Sequence, residues 1–321
     1  MADIEQMFQL NTEQKNAIEN FVEKARRDVP FFYEEGESEV LYVPVDDGEL
    51  RVFHHVPEDN KFKRPIVFFP GFGNPPWAWR FYSIPSHDIR EYYIIDTREK
   101  KSSKIQRGRK VKFTIDQMAK DVGDVIKHLN IDKRDYILMS ASWCGGVLLQ
   151  GLVSKYYNPG TTIAFDPFPK YVHHKFIVKI FFGLTPPFVL EILKRLLGKI
   201  VMANMKNQSQ KERNTEVLNE AVAWKWRKAL LQNTSFNLYP HLNEIKNQVF
   251  LFHGPKDKYH PREIYYKVSR MIPRGRFFFM NTKDENRELL AGAIAKEFAM
   301  NTKEEGLPEF FEKFEIEIQR E

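Results

Sequence analysis

D-Y-I-L-M-S-A-S-W-C-G-G-V-L-L-Q, residues 135–150, is the stretch that decides the fold. Its first apolar run predicts a buried strand, and a helical pattern begins near Trp143. The chain must turn between them, within S-A-S-W-C at 140–144. Ser140 and Cys144 in this segment are small residues. We therefore predict a tight turn between the strand and the helix.

The rest of the chain alternates short apolar runs with amphipathic stretches. These patterns predict strands at 65–69, 92–96, 136–139, 162–165, 249–253 and 276–280, and helices at about 114–129, 143–156, 261–271 and 287–300. Such alternation is typical of a mostly parallel sheet that is covered on both faces. Two β-rich runs at 39–45 and 49–56, separated by D-D-G, add a hairpin. We therefore predict an α/β fold with about eight strands and helices on both faces.

The same patterns predict three parts. They are a helical extension at 1–36, a core at 37–169 and 236–321, and a helical cap at 170–235. The extension is predicted from an amphipathic stretch at 11–28, for which Thr12 is the predicted N-cap. The cap is predicted because residues 170–235 lack any strand pattern and lie between two predicted strands.

One cap helix, predicted to begin after residue 185, has an apolar half and a polar half. The polar half holds Glu191, Lys194, Arg195 and Lys199. If the apolar half covers a pocket, this helix is a lid. If the apolar half faces outward, the helix can lie in the interface of an anionic membrane. A third interpretation is that the apolar half completes the core and the lysines are simply solvated. All three interpretations stay open at the level of sequence.

Composition and charge exclude several classes of protein. The chain has 321 residues with one cysteine, which excludes a disulfide framework and a cysteine-rich zinc site. The acidic opening lacks the apolar run of a signal peptide, so we expect a cytoplasmic protein. The net charge of +6 is uneven, with +7 in residues 98–112 and +7 in residues 170–213. These basic segments suit an anionic partner or are simply solvated.

The stretch around Ser142 resembles the nucleophile elbow of the α/β-hydrolase family, G-x-S-x-G, with Ser140 and Cys144 in the glycine positions. Upstream, P-I-V-F-F-P-G-F-G at 65–73 resembles the strand and oxyanion loop of that family. Further matches are Y-Y-I-I-D-T-R-E-K-K-S-S, which begins at residue 92, and V-F-L-F-H-G-P-K-D-K-Y-H-P, which begins at residue 249. The resemblance spans residues 39 to about 300 and implies an α/β-hydrolase fold.

The resemblance also implies roles for individual residues. Ser142 would be the nucleophile, at the apex of a strained turn with its hydroxyl facing a cavity, and the turn would require small residues at positions 140 and 144. Asp257 would be the acid of the triad, and the amides of Phe72 and Trp143 the oxyanion hole. Gly71, Trp77 and Trp79 follow from the oxyanion loop as residues that line an acyl pocket, although both tryptophans could instead pack a long loop. Cys144 lies two positions after the nucleophile site, so it is read as a small packing residue.

The catalytic histidine of that family has no counterpart at its expected place. All nine histidines lie at or before position 260, and the region after the last strand carries Lys283, Asp284 and Glu285. A serine needs a base to take its proton at neutral pH. The candidate replacements are His260 close to Asp257, His173 or His174 from the cap, His253 as either a base or a core histidine, and Asp166 as an alternative acid.

Two functions follow from these residues. The first is a serine hydrolase that acts on an ester or thioester with an apolar acyl group, where His260 is the base and Asp257 orients it. The second is a non-catalytic protein of the same fold that binds a ligand, a membrane or a protein partner. Nucleic acid is an unlikely partner, because the basic segment 98–112 lacks interleaved aromatic residues. We expect neither a metal nor an organic cofactor.

Overall fold

The computed structural model describes residues 8–58, 64–171, 174–203, 208–254, 262–301 and 306–320. Its strands are β1 Glu39–Val45, β2 Gly48–His55, β3 Ile66–Phe69, β4 Tyr92–Ile95, β5 Lys104–Ile105, β6 Ile137–Ala141, β7 Thr161–Phe165, β8 Val249–His253, β9 Gly275–Phe279 and β10 Glu315–Ile316. Its helices are α1 Thr12–Ala25, α2 Ile115–His128, α3 Trp143–Val153, α4 Lys175–Leu184, α5 Pro187–Ala203, α6 Gln208–Glu220, α7 Ala223–Gln232, α8 Arg262–Met271 and α9 Arg287–Met300.

The ten strands form a single sheet in the order β1-β2-β4-β3-β6-β7-β8-β9-β10, with β5 paired to β2. Six neighbouring strands of this order run parallel to one another: β4, β3, β6, β7, β8 and β9. The other strands, β1, β2, β5 and β10, pair antiparallel with their neighbours. The predicted mostly parallel sheet is therefore confirmed. The two strands beyond the predicted eight, β5 and β10, have two residues each, which is too short to produce an alternating or apolar pattern.

The middle strands are buried on both faces. Every residue of β3, β6, β7 and β8 is buried, which explains why these strands read as unbroken apolar runs. Residues of α2, α3 and α8 pack on one face, and residues of α1 and α9 pack on the other. Two apolar clusters therefore hold the parallel strands, and the carboxyl ends of these strands meet along one edge of the sheet.

The N-terminal helix is shorter than predicted and has a different cap. Asn11, not Thr12, is the N-cap of α1, because its side chain accepts from the amide of Gln14 while the Gln14 side chain accepts from the amide of Asn11. This reciprocal pair is a capping box, which satisfies two amides at once. The Gln14 amide group also donates to the carbonyl of Lys313, so the extension is tied to the C-terminal part of the chain.

Four helices, α4 to α7, lie between β7 and β8, and the described part of this segment contains no strand. A bridge between Lys170 and Asn237 joins its two ends, and the amide of Leu238 donates to the carbonyl of Pro169 at 2.8 Å. Helices α4 and α5 both pack on α7. We call these four helices the cap.

Candidate active site at the carboxyl edge of the sheet

Ser142 lies between β6 and α3 with an unusual backbone. Its φ is 55° and its ψ is −132°, a conformation that costs a non-glycine residue free energy of about 1–3 kcal/mol. The surroundings hold it there: its amide donates to the carbonyl of Phe165 at 2.8 Å, and its carbonyl accepts from the amides of Gly145 and Phe168. Ser142 is partly exposed, whereas Ala141 and Trp143 are buried. The turn thus presents this one side chain, as the sequence predicted.

Two glycines let α3 approach the next loop closely. A Cβ on Gly145 would lie 2.6 Å from Cβ of Pro167, and a Cβ on Gly146 would lie 2.4 Å from the carbonyl oxygen of Phe168. No larger residue fits either place without a shift of backbone. The double glycine after Ser142 therefore sets the distance between the turn and the loop that follows β7.

The loop after β3 lies directly beside Ser142. A Cβ on Gly71 would make an ordinary contact with Cβ of Ser142 at 3.4 Å, so the two segments are direct neighbours. The ring of Phe72 meets the ring of Trp143 edge to face, with centroids 4.7 Å apart. Within the part of the chain that the structure describes, neither the Phe72 amide nor the Trp143 amide has an acceptor. Two amide donors therefore flank the Ser142 turn.

The cap covers this loop. Gly73 has a φ of 66°, and a Cβ there would lie 2.1 Å from the indole ring of Trp226 on α7. The Gly73 amide donates to Glu99 at 3.0 Å, and Lys225 on α7 donates to the carbonyls of Lys100 and Ser103. Burial lowers the pKa of Lys225 to about 8. Helix α7 is thus anchored on two core loops next to Ser142.

An apolar cavity of about 290 Å³ lies between the Phe72 loop and the cap. Its walls include Phe72, Leu190, Leu218, Trp226 and Leu230. The cavity is lined almost entirely by apolar side chains, and Phe72 connects it to the loop beside Ser142. Ser142 itself is not among the lining residues, so the predicted cavity in front of its hydroxyl is not this one. The apolar cavity can accept an apolar chain whose polar end lies near the turn.

Trp77 and Trp79 have other surroundings than this cavity. Trp79 is 4% exposed and packs in the core, with its ring 5.0 Å from that of Phe68. Trp77 is partly buried, carries the guanidinium of Arg80 over its ring at 3.8 Å, and belongs to the turn on which α6 packs. These contacts match the loop-packing alternative for both tryptophans. Neither lines the apolar cavity described above.

Asp166 follows β7 and is the centre of a buried polar cluster. Its backbone φ is 49°, and its side chain is 2% exposed. One carboxylate oxygen lies 2.5 Å from Nδ1 of His253, and the other accepts from the guanidinium of Arg287 at 2.8 Å. Ser142, Asp166 and His253 follow or end three adjacent parallel strands. The fold therefore places a serine, a carboxylate and an imidazole side by side along one edge.

His253 is packed in the core, as one of the two interpretations predicted. Its side chain is fully buried, and its ring lies 4.9 Å from that of Tyr265 and 5.7 Å from that of Phe279. Its Nε2 has no hydrogen-bond partner among the described residues. The imidazole therefore fixes the orientation of the Asp166 carboxylate from within the core.

Arg287 is the residue that sequence reasoning missed. It is the first residue of α9, in the region where the resemblance led us to look for a histidine, and it pairs with Asp166 across 121 positions of sequence. A guanidinium remains protonated in proteins, so it cannot serve as a general base. No short-range sequence pattern predicts such a pair, because Asp166 and Arg287 lie 121 positions apart in the sequence.

The neighbouring residues of that region hold the cap. Asp284 lies 3.8 Å from the guanidinium of Arg213 on α6, and Glu288 lies 3.1 Å from it. Burial raises the pKa of Glu288, while Arg213 opposes that shift. Asp284 and Glu288 thus bind a cap residue.

Several predicted residues lie outside the described part of the chain. These are Asp257, His260 and His173. His174 is described, and it is exposed at the start of α4. Cys144 is fully buried, and burial raises the pKa of its thiol, which suppresses the thiolate. Its placement agrees with the packing role.

One group of side chains has the composition of a metal site. Glu37, His55 and His87 place ligand atoms within 4.8 Å of one another. The two ring nitrogens of His55, however, lie 2.6 Å from the carbonyl oxygen of Glu37 and 2.8 Å from that of His87. Each ring nitrogen of His55 therefore already faces a carbonyl oxygen of the protein, whereas the ligands of a metal are directed at a common centre. The group is better explained as a hydrogen-bonded corner.

No single described helix is both long enough and apolar enough to cross a bilayer. Helix α4 and the first half of α5 reach that length only as a pair, and the two axes meet at 109°.

No family model matches the sequence, and no curated protein matches it. Several solved structures, however, match this protein in three dimensions. An esterase from Exiguobacterium antarcticum is 16% identical with a TM-score of 0.66, and the match covers 82% of this chain and all of that chain. A thermophilic esterase from Thermogutta terrifontis is 17% identical with a TM-score of 0.58, covering 76% of this chain and 90% of the other.

A third similar structure is the enol-lactonase from Burkholderia xenovorans LB400. It is 13% identical with a TM-score of 0.59, and the match covers 76% of this chain and 91% of that chain. Identities this low establish the fold and not the activity. The chain has the α/β-hydrolase fold, which confirms the resemblance noted in the sequence.

Proposed function

We propose that the protein is a serine hydrolase that cleaves esters or thioesters with an apolar acyl group. The observation that carries this proposal is the strained, partly exposed Ser142 beside two amides without acceptors, next to the Phe72 loop that forms one wall of an apolar cavity. A strained turn persists only where the surroundings maintain it, and such turns are concentrated at functional sites. The likeness to esterases and a lactonase agrees with this chemistry.

In the proposed reaction the acyl chain lies in the cavity and its carbonyl carbon faces Ser142. The Ser142 oxygen attacks that carbon, its proton passes to a base, and the carbonyl electrons move onto oxygen. The amides of Phe72 and Trp143 donate to this oxyanion, an interaction worth about 3–4 kcal/mol per donor. Collapse expels the alcohol or thiol, which takes the proton, and water then releases the acid by the same steps. The proposed base is His260 and the proposed acid is Asp257, both from the sequence alone.

A second function is supported by one observation, the pairing of Asp166 with Arg287. Both oxygens of this carboxylate are already engaged, by His253 and by Arg287, and the guanidinium lies where a mobile imidazole would be expected. A site locked in this way suits a protein that binds an apolar ligand and does not turn it over. We retain this non-catalytic alternative for that reason.

Hydrolysis of nitrophenyl esters from acetate to decanoate distinguishes the two functions. Each buried CH₂ contributes about 0.8 kcal/mol, so kcat/KM should rise about fourfold per carbon until the cavity is full. Ser142→Ala supplies the background rate. Leu218→Phe, which narrows the cavity, should shorten the preferred chain, whereas Leu184→Phe on the exposed side of α4 should leave it unchanged.

Each outcome decides between the proposals. Hydrolysis that rises with chain length and disappears in Ser142→Ala supports the hydrolase. A rate that does not depend on chain length contradicts the role of the cavity. Hydrolysis that never exceeds the Ser142→Ala background, together with saturable binding of a fluorescent fatty acid, supports the binding protein.

A further inference from the structure

The outer side of α4 and α5 exposes an unusual number of large apolar side chains. They are Phe176, Ile177, Ile180, Phe181 and Leu184 on α4, and Phe188, Ile192 and Leu196 on α5, with exposed fractions from 37% to 79%. We call these eight residues the outer apolar face. Soluble proteins seldom expose so many large apolar residues on adjoining elements, and such a patch marks an interaction surface.

The outer apolar face follows from the helical repeat. On α5, Phe188, Ile192 and Leu196 recur every four residues and form a single stripe. The buried contacts of the two helices are made by other residues, Val178 on α4 and Leu190 on α5. Both helices pack on α7, and α5 also packs on α6, whereas the residues of the two stripes remain exposed. The predicted apolar half of α5 is therefore divided between the cavity and the outside.

Basic side chains accompany the outer apolar face. Lys175 and Lys179 each precede a residue of the α4 stripe and are exposed, and the exposed Lys199 continues the α5 stripe by one turn. Residues 174–203 contain five lysines or arginines and one acidic residue. A second copy of this chain would bring two cationic faces together, which is unfavourable. An anionic lipid surface instead matches both the apolar stripes and the charge.

We propose that the outer apolar face is a docking surface for an anionic lipid bilayer, on which α4 and α5 lie in the plane of the interface. The sharp bend between the helices suits a peripheral position, because it spreads the two stripes over the surface. Phe181 belongs both to this face and to the wall of the apolar cavity, so docking brings the cavity next to the acyl chains. Docking does not depend on catalysis at Ser142.

Co-sedimentation of the full chain with vesicles tests this proposal. The vesicles are phosphatidylcholine alone, or phosphatidylcholine with about one third phosphatidylglycerol, each at low and high salt. We expect binding to the anionic vesicles that weakens with salt. The variant Ile177→Gln/Leu184→Gln/Phe188→Gln should bind at least about tenfold more weakly. Each of Lys175→Gln and Lys179→Gln should weaken only anionic binding, by about fivefold.

The controls use residues of the same kind elsewhere. Val40 and Val56 lie outside the cap, with 49% and 56% of each residue exposed, so Val40→Gln/Val56→Gln should bind like the wild type. Ser142→Ala should also bind normally, which separates this proposal from the proposed function. Failure of the wild type to bind anionic vesicles would overturn the proposal, as would undiminished binding by the triple variant. A dimer in sedimentation that the triple variant abolishes would assign the face to a second copy and overturn it too.

Discussion

The carboxyl edge of the sheet and the outer side of the cap depart from ordinary burial in opposite directions. At the sheet edge, Asp166, His253 and Arg287 place ionisable groups inside the protein and pair them. On the cap, eight large apolar side chains remain in solvent. Buried charge and exposed apolar surface both cost free energy, so each is expected where function requires it. The comparison separates a buried cluster of paired ionisable groups from an apolar surface for which we propose docking.

The largest expected effect is at the sheet edge. Asp166→Ala leaves a buried guanidinium and an imidazole without their shared acceptor, which should lower the free energy of unfolding by about 3–5 kcal/mol. The corresponding change in the cap, Glu220→Ala, removes a pair with Lys101 whose side chains are 39% and 61% exposed, and should cost less than about 1 kcal/mol. Urea denaturation measures both. Equal losses would show that Asp166 is not a structural centre.

Glycines provide the second contrast. Gly146→Ala forces a Cβ against the carbonyl oxygen of Phe168, so the free energy of unfolding should fall by about 1–3 kcal/mol. Gly183 on α4 has no atom within 4 Å of the position of a Cβ, so Gly183→Ala should raise stability by about 0.5–1 kcal/mol. Thermal unfolding of the two variants checks the opposite signs. A stable Gly146→Ala would contradict the close approach of α3 to the loop after β7.

Lys225 joins the cap to the loop that contains Lys100 and Ser103, and it makes stability depend on pH. Its pKa is lowered to about 8 in the folded protein, against an ordinary value of 10.5, so the unfolded chain binds the proton more readily between these values. Stability should therefore rise with pH, by about 1 kcal/mol from pH 7 to pH 9. Lys225→Met should remove this part of the increase. A difference between wild type and variant that falls with pH would contradict the sign.

The smallest expected effect is on the cap's outer side. Leu184 is 79% exposed, so Leu184→Ala should change the free energy of unfolding by less than about 0.5 kcal/mol. Urea denaturation in the absence of lipid measures it. A loss of several kcal/mol would mean that this side chain is packed in the isolated protein, and the docking proposal would lose its basis.

The sequence predicts local features well, because the strands and the tight turn at Ser142 follow from patterns within about twenty residues. It misses features that depend on distant partners. The role of Arg287 becomes visible only when it is seen to pair with Asp166. The capping of α1 by Asn11 depends on the orientation of the Asn11 side chain. The apolar residues of α5 could be counted from the sequence, but their division between the cavity and solvent depends on how α5 packs against α7.

Reaction with a fluorophosphonate tests the central claim most directly, because this reagent forms a bond to the oxygen of an activated serine and releases fluoride. We predict that intact-mass measurement finds one adduct, located at Ser142 and absent in Ser142→Ala. The rate should fall at least about hundredfold in His260→Gln and remain unchanged in His173→Gln and His174→Gln. Wild-type protein that stays unmodified, with and without anionic vesicles, would contradict the claim that Ser142 is a nucleophile.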